Sequence, residues 1–231
     1  MSCVKKALEE LRKGRFVLVF DDEHREGETD LIIAAEHVTS ESITTMRRDG
    51  GGLIILMVHH RVAQKFGIPF LTEVFDEASG KWPVLRSLVP NDIPYDNKSS
   101  FSLLINHRKT FTGITDNDRA LTISEFARTA REAEKLTSAE AISLLGRRFR
   151  SPGHVPVCIA SQNMLEDRKG HTELGVALST MARLSGVVAG CEMMSKGIAL
   201  PKGEAINYAE RHGLMFLEGR EIIKEWRAWS E

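Results

Sequence analysis

Cysteine is scarce in this chain: Cys3, Cys158 and Cys191 are the only three among 231 residues, an odd number with no C-x-x-C spacing. Neither a disulfide framework nor a thiolate zinc site is indicated, and a reducing compartment is expected. Net charge is nearly absent too, with 31 basic against 32 acidic residues, so no overall field draws in nucleic acid. Aromatic residues make up only 6%, which gives little support to a nucleic-acid binding module with stacking platforms, although the basic run Arg147 to Arg150 is a local exception. No apolar run approaches bilayer-crossing length, and the opening MSCVKKALEELRKGR has no continuous apolar core. No membrane partner is therefore expected, and the chain reads as a soluble cytoplasmic protein. Internal repeats, low-complexity segments and Gly/Ser linkers are missing, as are G-x-x-x-x-G-K-[ST] and a strand-linked G-x-G-x-x-G. The common nucleotide cradles are thereby excluded, and residues 1–231 read as a single domain.

What is present is a globular composition, 42% hydrophobic and 27% charged, long enough to bury a sizeable core. Val4, Leu8 and Leu11 have helical spacing, and Phe16 to Phe20 reads as a buried strand. Leu31 to Ala35 predicts a second strand, Ser40 to Asp49 a helix capped by Ser40, and Leu53 to Val58 a strand entered through Gly50-Gly51-Gly52. The triple glycine reads as a tight turn in preference to a phosphate cradle. From Thr72 to Ser100 the pattern weakens around Pro83, Pro90 and Pro94, predicting irregular connections and an edge strand. A strand over Ser100 to Ile105 follows, then a helix opened by the Thr122 and Glu125 capping-box spacing, and a shorter helix from Ser138 to Leu145. The remainder alternates: strand Val155 to Ala160, helix Thr172 to Leu184, strand Val187 to Glu192, helix Gly203 to His212, strand Leu214 to Leu217. The class is α/β or α+β.

Four stretches carry chemistry. FDDEHREGETDLIIAAEH, Phe20 to His37, packs six carboxylates between Asp21 and Asp30 directly after a buried strand, with Arg25 among them. Most such runs are solvated loops, but these stand where α/β sheets place ligands, and crowded like charges call for a cation or protonation. In EDRKGHTELGVALSTMARLSG, Glu166 to Gly186, His171 opens an amphipathic helix behind Arg168, Lys169 and Gly170. Either a phosphate sits on the helix N-terminus, or His171 and Thr172 merely tie off the helix end. RSPGHVPV sets His154 at the mouth of a buried strand, and GCEMM sets Glu192 at the end of another. Taken alone, His154 reads as a surface histidine, and Glu192 as either a strand-end carboxylate or a proton carrier whose pKa burial raises.

These stretches, together with FTGITDNDRALTI from Phe111 to Ile123, occur in the order and spacing of one enzyme family. The chain resembles the 3,4-dihydroxy-2-butanone 4-phosphate synthases, riboflavin-pathway enzymes acting on ribulose 5-phosphate. DDEHREGETDLI is similar to the family's acidic pattern, and SPGHV, RKGHTE and CEMM match its other motifs. The resemblance implies an α+β fold with a mixed β-sheet flanked by helices, a homodimer with active sites near the subunit interface, and no organic cofactor. It implies a divalent cation, magnesium or manganese, on Glu26 and His171. It places Arg25, Asp30, Arg168, Lys169, Gly170, His171 and Thr172 around the sugar phosphate, with Thr112 and Glu192 near the substrate. His154 and Glu192 match positions essential for activity, and Asp21 and Glu28 are expected to carry protons or bind substrate. No fused GTP cyclohydrolase II domain is expected, since no cysteine-rich zinc pattern is present. Three places depart from the family pattern: Gly27 and Thr29 replace Asn and Gly, His24 replaces an acidic residue, and Ile55 stands near a strand end where several members carry cysteine. A different metal-dependent phosphosugar lyase or isomerase would use similar residues; release of formate separates the two.

Overall fold

A computed structural model describes residues 2–96 and 98–230. Seven strands form one mixed sheet in the order β4-β5-β3-β6-β2-β1-β9. These are β1 (Val17–Phe20), β2 (Thr29–Ala34), β3 (Ile55–Val58), β4 (Phe101–His107), β5 (Phe149–Ile159), β6 (Val187–Glu192) and β9 (Met215–Glu218). Pairing is parallel for β3 with β5 and for β1 with β9, and antiparallel elsewhere. A two-stranded hairpin of β7 (Met194–Ser195) and β8 (Ile198–Ala199) stands apart.

Strand alternation divides the core between the two faces of the sheet. Leu18, Leu31, Ile33, Leu56 and Val58 point to one side, where α2 (Ser40–Asp49), α3 (His60–Phe66), α6 (Asp116–Ala133) and α9 (Lys202–His212) cover them. Val17, Val19, Ile32, Ile55 and Met57 point to the other, under α1 (Cys3–Arg12), α8 (His171–Met181) and α10 (Gly219–Ser230). On the first face Phe126 stacks edge-on with Phe66 and with Phe149, both at 5.7 Å between centroids. The mixed sheet flanked by helices is the architecture the family resemblance implies.

Several boundaries differ, each for a local reason. Thr39, not Ser40, caps α2, with Ser42 completing the reciprocal capping pair. α6 begins at Asp116 on a Thr115 cap, so Thr122 is interior; its hydroxyl bonds the Asp118 carbonyl and accepts from the His107 amide. β5 starts at Phe149, six residues before the predicted strand, because its first residues pair with the end of β4. The proline-rich stretch carries α4 (Leu71–Ala78) and α5 (Val84–Ser87), and no strand precedes Phe101 among its described residues. α7 (Ser138–Arg148) runs three residues past Leu145. α10 was not foreseen, although Ile222 and Trp226 share a face that packs on the α1 and α8 side. The basic run Arg147 to Arg150 is largely tied down, Arg147 to Ser143, Arg148 to Thr129 and Glu132, and Arg150 to Thr110.

The triple glycine is a turn. The Gly51 amide donates to the Glu192 carbonyl at 2.6 Å, and a side chain on Gly50 would press within 2.6 Å of the Met46 carbonyl. Only glycine lets the chain pass this close to the end of β6.

Candidate active site

The acidic loop, residues 21–28, connects antiparallel β1 and β2 at one end of the sheet. Asp21 organises it from within: its buried carboxylate accepts from the amides of Glu26 and Glu28, each at 3.1 Å, and from Arg25 Nη1 at 3.2 Å. Gly27 adopts a left-handed φ of +67°, a conformation also open to asparagine, so the departure from the family pattern here preserves the turn. The loop thereby turns Arg25, Glu26 and Glu28 toward a cavity of about 310 Å³.

The sheet supplies the floor. Asp30 on β2 lies directly opposite Glu192 on β6, and both line the cavity with Ile55 and Met57 of β3. Two carboxylates facing each other across an antiparallel pair repel unless protonated or bridged by a cation. Burial and the neighbouring Glu192, Glu26 and Glu28 push the Asp30 carboxyl up to about 8, against the pull of His171. Burial also raises Glu192, and burial with the charges of Glu26 and Glu192 raises Glu28. No thiol stands at Ile55, but Cys158, paired with Met57 on neighbouring β5, borders the same cavity. Burial pushes that thiol up to about 12, which keeps it protonated.

His171 closes the opposite side from the first position of α8. Its Nδ1 lies 3.0 Å from Glu26 Oε2, and its Nε2 lies 3.2 Å from the Glu28 carbonyl and 3.6 Å from Asp30 Oδ1. Burial opposes protonation of the ring, but Asp30, Glu26 and Asp21 outweigh it and raise His171 to about 10. Glu26 responds in the opposite sense: burial favours its neutral form, yet the His171 hydrogen bond and charge and Arg25 hold it below the ordinary carboxylate range.

One donor atom from each of Asp21, Glu26 and His171 falls within 4.8 Å of the other two. Asp30 Oδ1 is buried without a hydrogen-bond partner. An orphaned carboxylate oxygen, converging acids and one imidazole fit a divalent cation: the oxygens suit magnesium, and the nitrogen is well tolerated by manganese.

Beside these acids lies an anion-binding corner. α8 begins without a side-chain cap, which leaves its first amides available at the positive end of the helix. Arg25 and Arg168 flank it, and a side chain on Gly170 would fall within 2.3 Å of Arg168 Nη1 and 2.8 Å of Arg25 Nη2, so glycine makes room for both guanidinium groups. Thr172 lines the cavity, whereas Lys169 is exposed and faces the cleft toward α10. Buried Glu173 fixes Arg168, accepting from its Nη1 at 2.7 Å and from the Ser161 amide at 2.9 Å. Glu173 was overlooked in the sequence because a glutamate in a first helical turn looks like an ordinary dipole partner. Asp96 and Tyr95, also on the cavity wall, gave no sequence signal at all.

Besides Lys169, two expected residues lie elsewhere. His154 is exposed on β5, four residues before Cys158 and so roughly 13 Å away along an extended strand. Its amide donates to Asn106 Oδ1 at 2.9 Å, which orients the Asn106 side chain so that Nδ2 donates to His154 Nδ1 at 3.0 Å. The neutral imidazole therefore carries its proton on Nε2, which points away from Asn106. Thr112 sits on the neighbouring loop after β4, held to Asp118. Gly113, at φ +95°, packs so closely on Asn106 that any side chain would overlap it. Neither His154 nor Thr112 borders the carboxylate cavity.

Known proteins resemble this chain over nearly its whole length. A family model described as 3,4-dihydroxy-2-butanone 4-phosphate synthase matches residues 5–225. The chain is 48% identical over 225 residues to 3,4-dihydroxy-2-butanone 4-phosphate synthase of Methanothermobacter thermautotrophicus, covering 96% of this chain and 95% of that one. To the protein of the same name from Archaeoglobus fulgidus it is 45% identical over 230 residues, covering 98% and 95%. A crystal structure of 3,4-dihydroxy-2-butanone 4-phosphate synthase in complex with two magnesium ions matches with a TM-score of 0.75 at 26% identity, covering 97% of this chain and 96% of that one. With the family model spanning nearly the whole chain, and close relatives matched end to end, the chain belongs to the 3,4-dihydroxy-2-butanone 4-phosphate synthase family.

Proposed function

We propose that the cavity bordered by Glu26, Glu28, Asp30, His171 and Glu192 is where this chain performs the reaction of its family. It is a lyase of riboflavin biosynthesis that converts D-ribulose 5-phosphate, with a divalent metal, to L-3,4-dihydroxy-2-butanone 4-phosphate and formate. The observation that carries the placement is the His171 to Glu26 contact at the junction of a carboxylate-lined floor and an uncapped helix N-terminus.

Glu26 and His171 would hold the cation, magnesium or manganese, with Asp21 close enough to join them. When bound, it supplies charge stabilisation for the oxyanions that develop on the sugar carbonyl and hydroxyl. Arg25, Arg168, the Gly170–Thr172 turn and the Thr172 hydroxyl hold the phosphate end. Enolisation and skeletal shift require protons to leave and return at several carbons. Glu28, Asp30 and Glu192 suit that task because burial lifts each carboxyl above its ordinary range, Asp30 to about 8, which favours proton uptake. Asp21 acts mainly by shaping the loop, given its two amide bonds. No organic cofactor takes part, and the chain works as one catalytic domain.

His154 and Thr112 enter the site from a second copy of the chain. Supporting this, both stand outside the cavity, while Phe101 and Leu104 on the edge strand β4, and Phe111 and Ile114 on the following loop, expose apolar surface, Phe111 at 93%. Exposed apolar side chains gathered along a sheet edge suit a two-fold interface. A cytoplasmic homodimer fits the three free cysteines.

The test is formate release by metal-stripped protein given ribulose 5-phosphate, with and without magnesium or manganese. Metal-dependent formate is expected; its absence from folded protein under every metal would overturn the assignment.

A further inference from the structure

Arg25 and Arg168 each commit one edge of the guanidinium to a fixed partner. Arg25 Nη1 contacts Asp21 at 3.2 Å and Glu26 at 2.9 Å, and Arg168 Nη1 contacts buried Glu173 at 2.7 Å. These partners sit on the acidic loop and on α8, both built into the sheet end. The remaining edges converge on one carboxylate: Asp96 Oδ2 accepts from Arg25 Nη2 at 2.8 Å and from Arg168 Nε at 2.5 Å. Tyr95, beside it, places its ring 5.3 Å from the Arg25 guanidinium carbon. Asp96 comes from a stretch that has neither helix nor strand among the described residues from Leu88 to Ser100. Asp21 is pinned by the Glu26 and Glu28 amides and Glu173 by its place in α8, so Asp96, on a long stretch without regular backbone pairing, is the partner that exchanges most readily.

We propose that Asp96 is an intramolecular stand-in for the substrate's phosphate, occupying the donors shared by Arg25 and Arg168 until a phosphate displaces it. This rests on the reading of those arginines as phosphate ligands. A carboxylate offers the same charge sign and acceptor oxygens as a phosphate, but less charge, and bridges both guanidinium groups with one oxygen. Phosphate, with three acceptor oxygens and greater charge, out-competes it. A neutral pentulose lacks the charge to do so. Asp96 thus lowers the affinity of every ligand for the corner by the fraction of time it occupies the donors, and only a phosphate carries enough charge to bind there despite it. It also keeps two like-charged guanidinium groups together in the unliganded site.

The test is calorimetric titration of the magnesium-loaded protein with inorganic phosphate, which reads the corner without turnover. Asp96→Asn is expected to tighten phosphate about fivefold or more, since the competitor is removed. Asp96→Glu, which restores a carboxylate, is expected to stay within about twofold of the natural protein. Asp92→Asn removes the same charge from an exposed position on the same stretch and is expected to change affinity less than about twofold, separating occupancy from long-range charge. Unchanged or weaker binding in Asp96→Asn, or an equal gain in Asp92→Asn, overturns the proposal. Arg168→Gln tests the reading beneath it: phosphate bound as tightly as before would remove Arg168 from the corner and overturn the proposal with it. Should phosphate tighten as expected while no formate is released, the stand-in holds and only the assigned reaction fails.

Discussion

His171 Nδ1 and Glu26 Oε2 lie 3.0 Å apart, a contact that ties the first turn of α8 to a loop 145 residues earlier in the chain. In the metal-free site this is an ion pair, because the surrounding acids keep the imidazole protonated. A cation held by these two groups would have to replace that proton. Glu26→Gln and His171→Ala are therefore expected to weaken magnesium or manganese binding at least about tenfold and to reduce turnover with it. Undiminished affinity in a calorimetric metal titration of Glu26→Gln would place the cation elsewhere.

His171 and Asp30 fix the pH dependence. His171 is raised to about 10 and Asp30 to about 8, so the folded metal-free protein binds more protons than the unfolded chain. Asp30 does so between about 4 and 8, and His171 between about 6.5 and 10. For a group whose folded pKa is raised, the stabilising proton is fully present below the unfolded pKa and lost as pH passes the folded one. Metal-free protein is thus expected to lose thermal stability as pH climbs from about 4 to 10. Metal affinity runs the other way, rising up to about tenfold per pH unit for each proton displaced. Thermal unfolding with and without magnesium across that range checks both signs; metal affinity independent of pH would remove His171 from the ligands.

How much of this was legible in the sequence depended on range. Strands β1, β2, β3 and β6 were readable because they are short, apolar runs bounded by turns or charges, and Val187 to Glu192 was matched at both ends. The acidic loop and His171 were legible because six carboxylates and a histidine before a helix are local patterns. Their meeting was not: spacing says nothing about a contact across 145 residues, and only the resemblance supplied it. The start of α6 was misread because Thr122 and Glu125 mimic a cap inside a helix that Thr115 opens. Asp96 was invisible for a plainer reason. One aspartate among prolines and asparagines looks like a turn residue until two arginines from other elements close on it.

Asn106 orients His154 through two hydrogen bonds and sets the tautomer that presents Nε2–H. Asn106→Ala is expected to lower kcat roughly tenfold or more, in the range typical of a group that positions an acid or base, with metal affinity unchanged. His154→Ala should lower it further. The separating readout is the split between kcat and the other properties: kcat should fall while metal affinity, KM and the thermal midpoint hold, whereas a purely structural loss would move the midpoint as well.

Phe126 is the central ring of three in the core under β3 and β5, on the sheet face opposite the cavity-lining Ile55 and Met57. Phe126→Ala is expected to cost about 3–5 kcal/mol of stability through lost burial and a residual cavity. Magnesium affinity measured well below the lowered midpoint should be retained. A loss of metal binding in protein shown to be folded would mean that this face of the sheet controls the acids on the other.

If His154 reaches the site from a second copy, two inactive variants should rescue each other. Glu26→Gln leaves a site without its acid ligand, and His154→Ala leaves one without its histidine, so neither homodimer turns over. In a mixed dimer one site receives Glu26 from the His154→Ala chain and His154 from the Glu26→Gln chain, and is whole; its twin carries both changes. Random exchange makes about half the dimers mixed, each with one of its two sites intact, so roughly a quarter of the natural activity should return. Formate release after co-refolding equal amounts of the two chains reads this directly. Sites built within a single chain would give no recovery at all, because mixing cannot place an intact Glu26 and an intact His154 in one polypeptide. The apolar edge formed by Leu104 and Phe111 supplies the control: a charged residue at Phe111, which is 93% exposed in the single chain, should abolish rescue by separating the subunits without unfolding either.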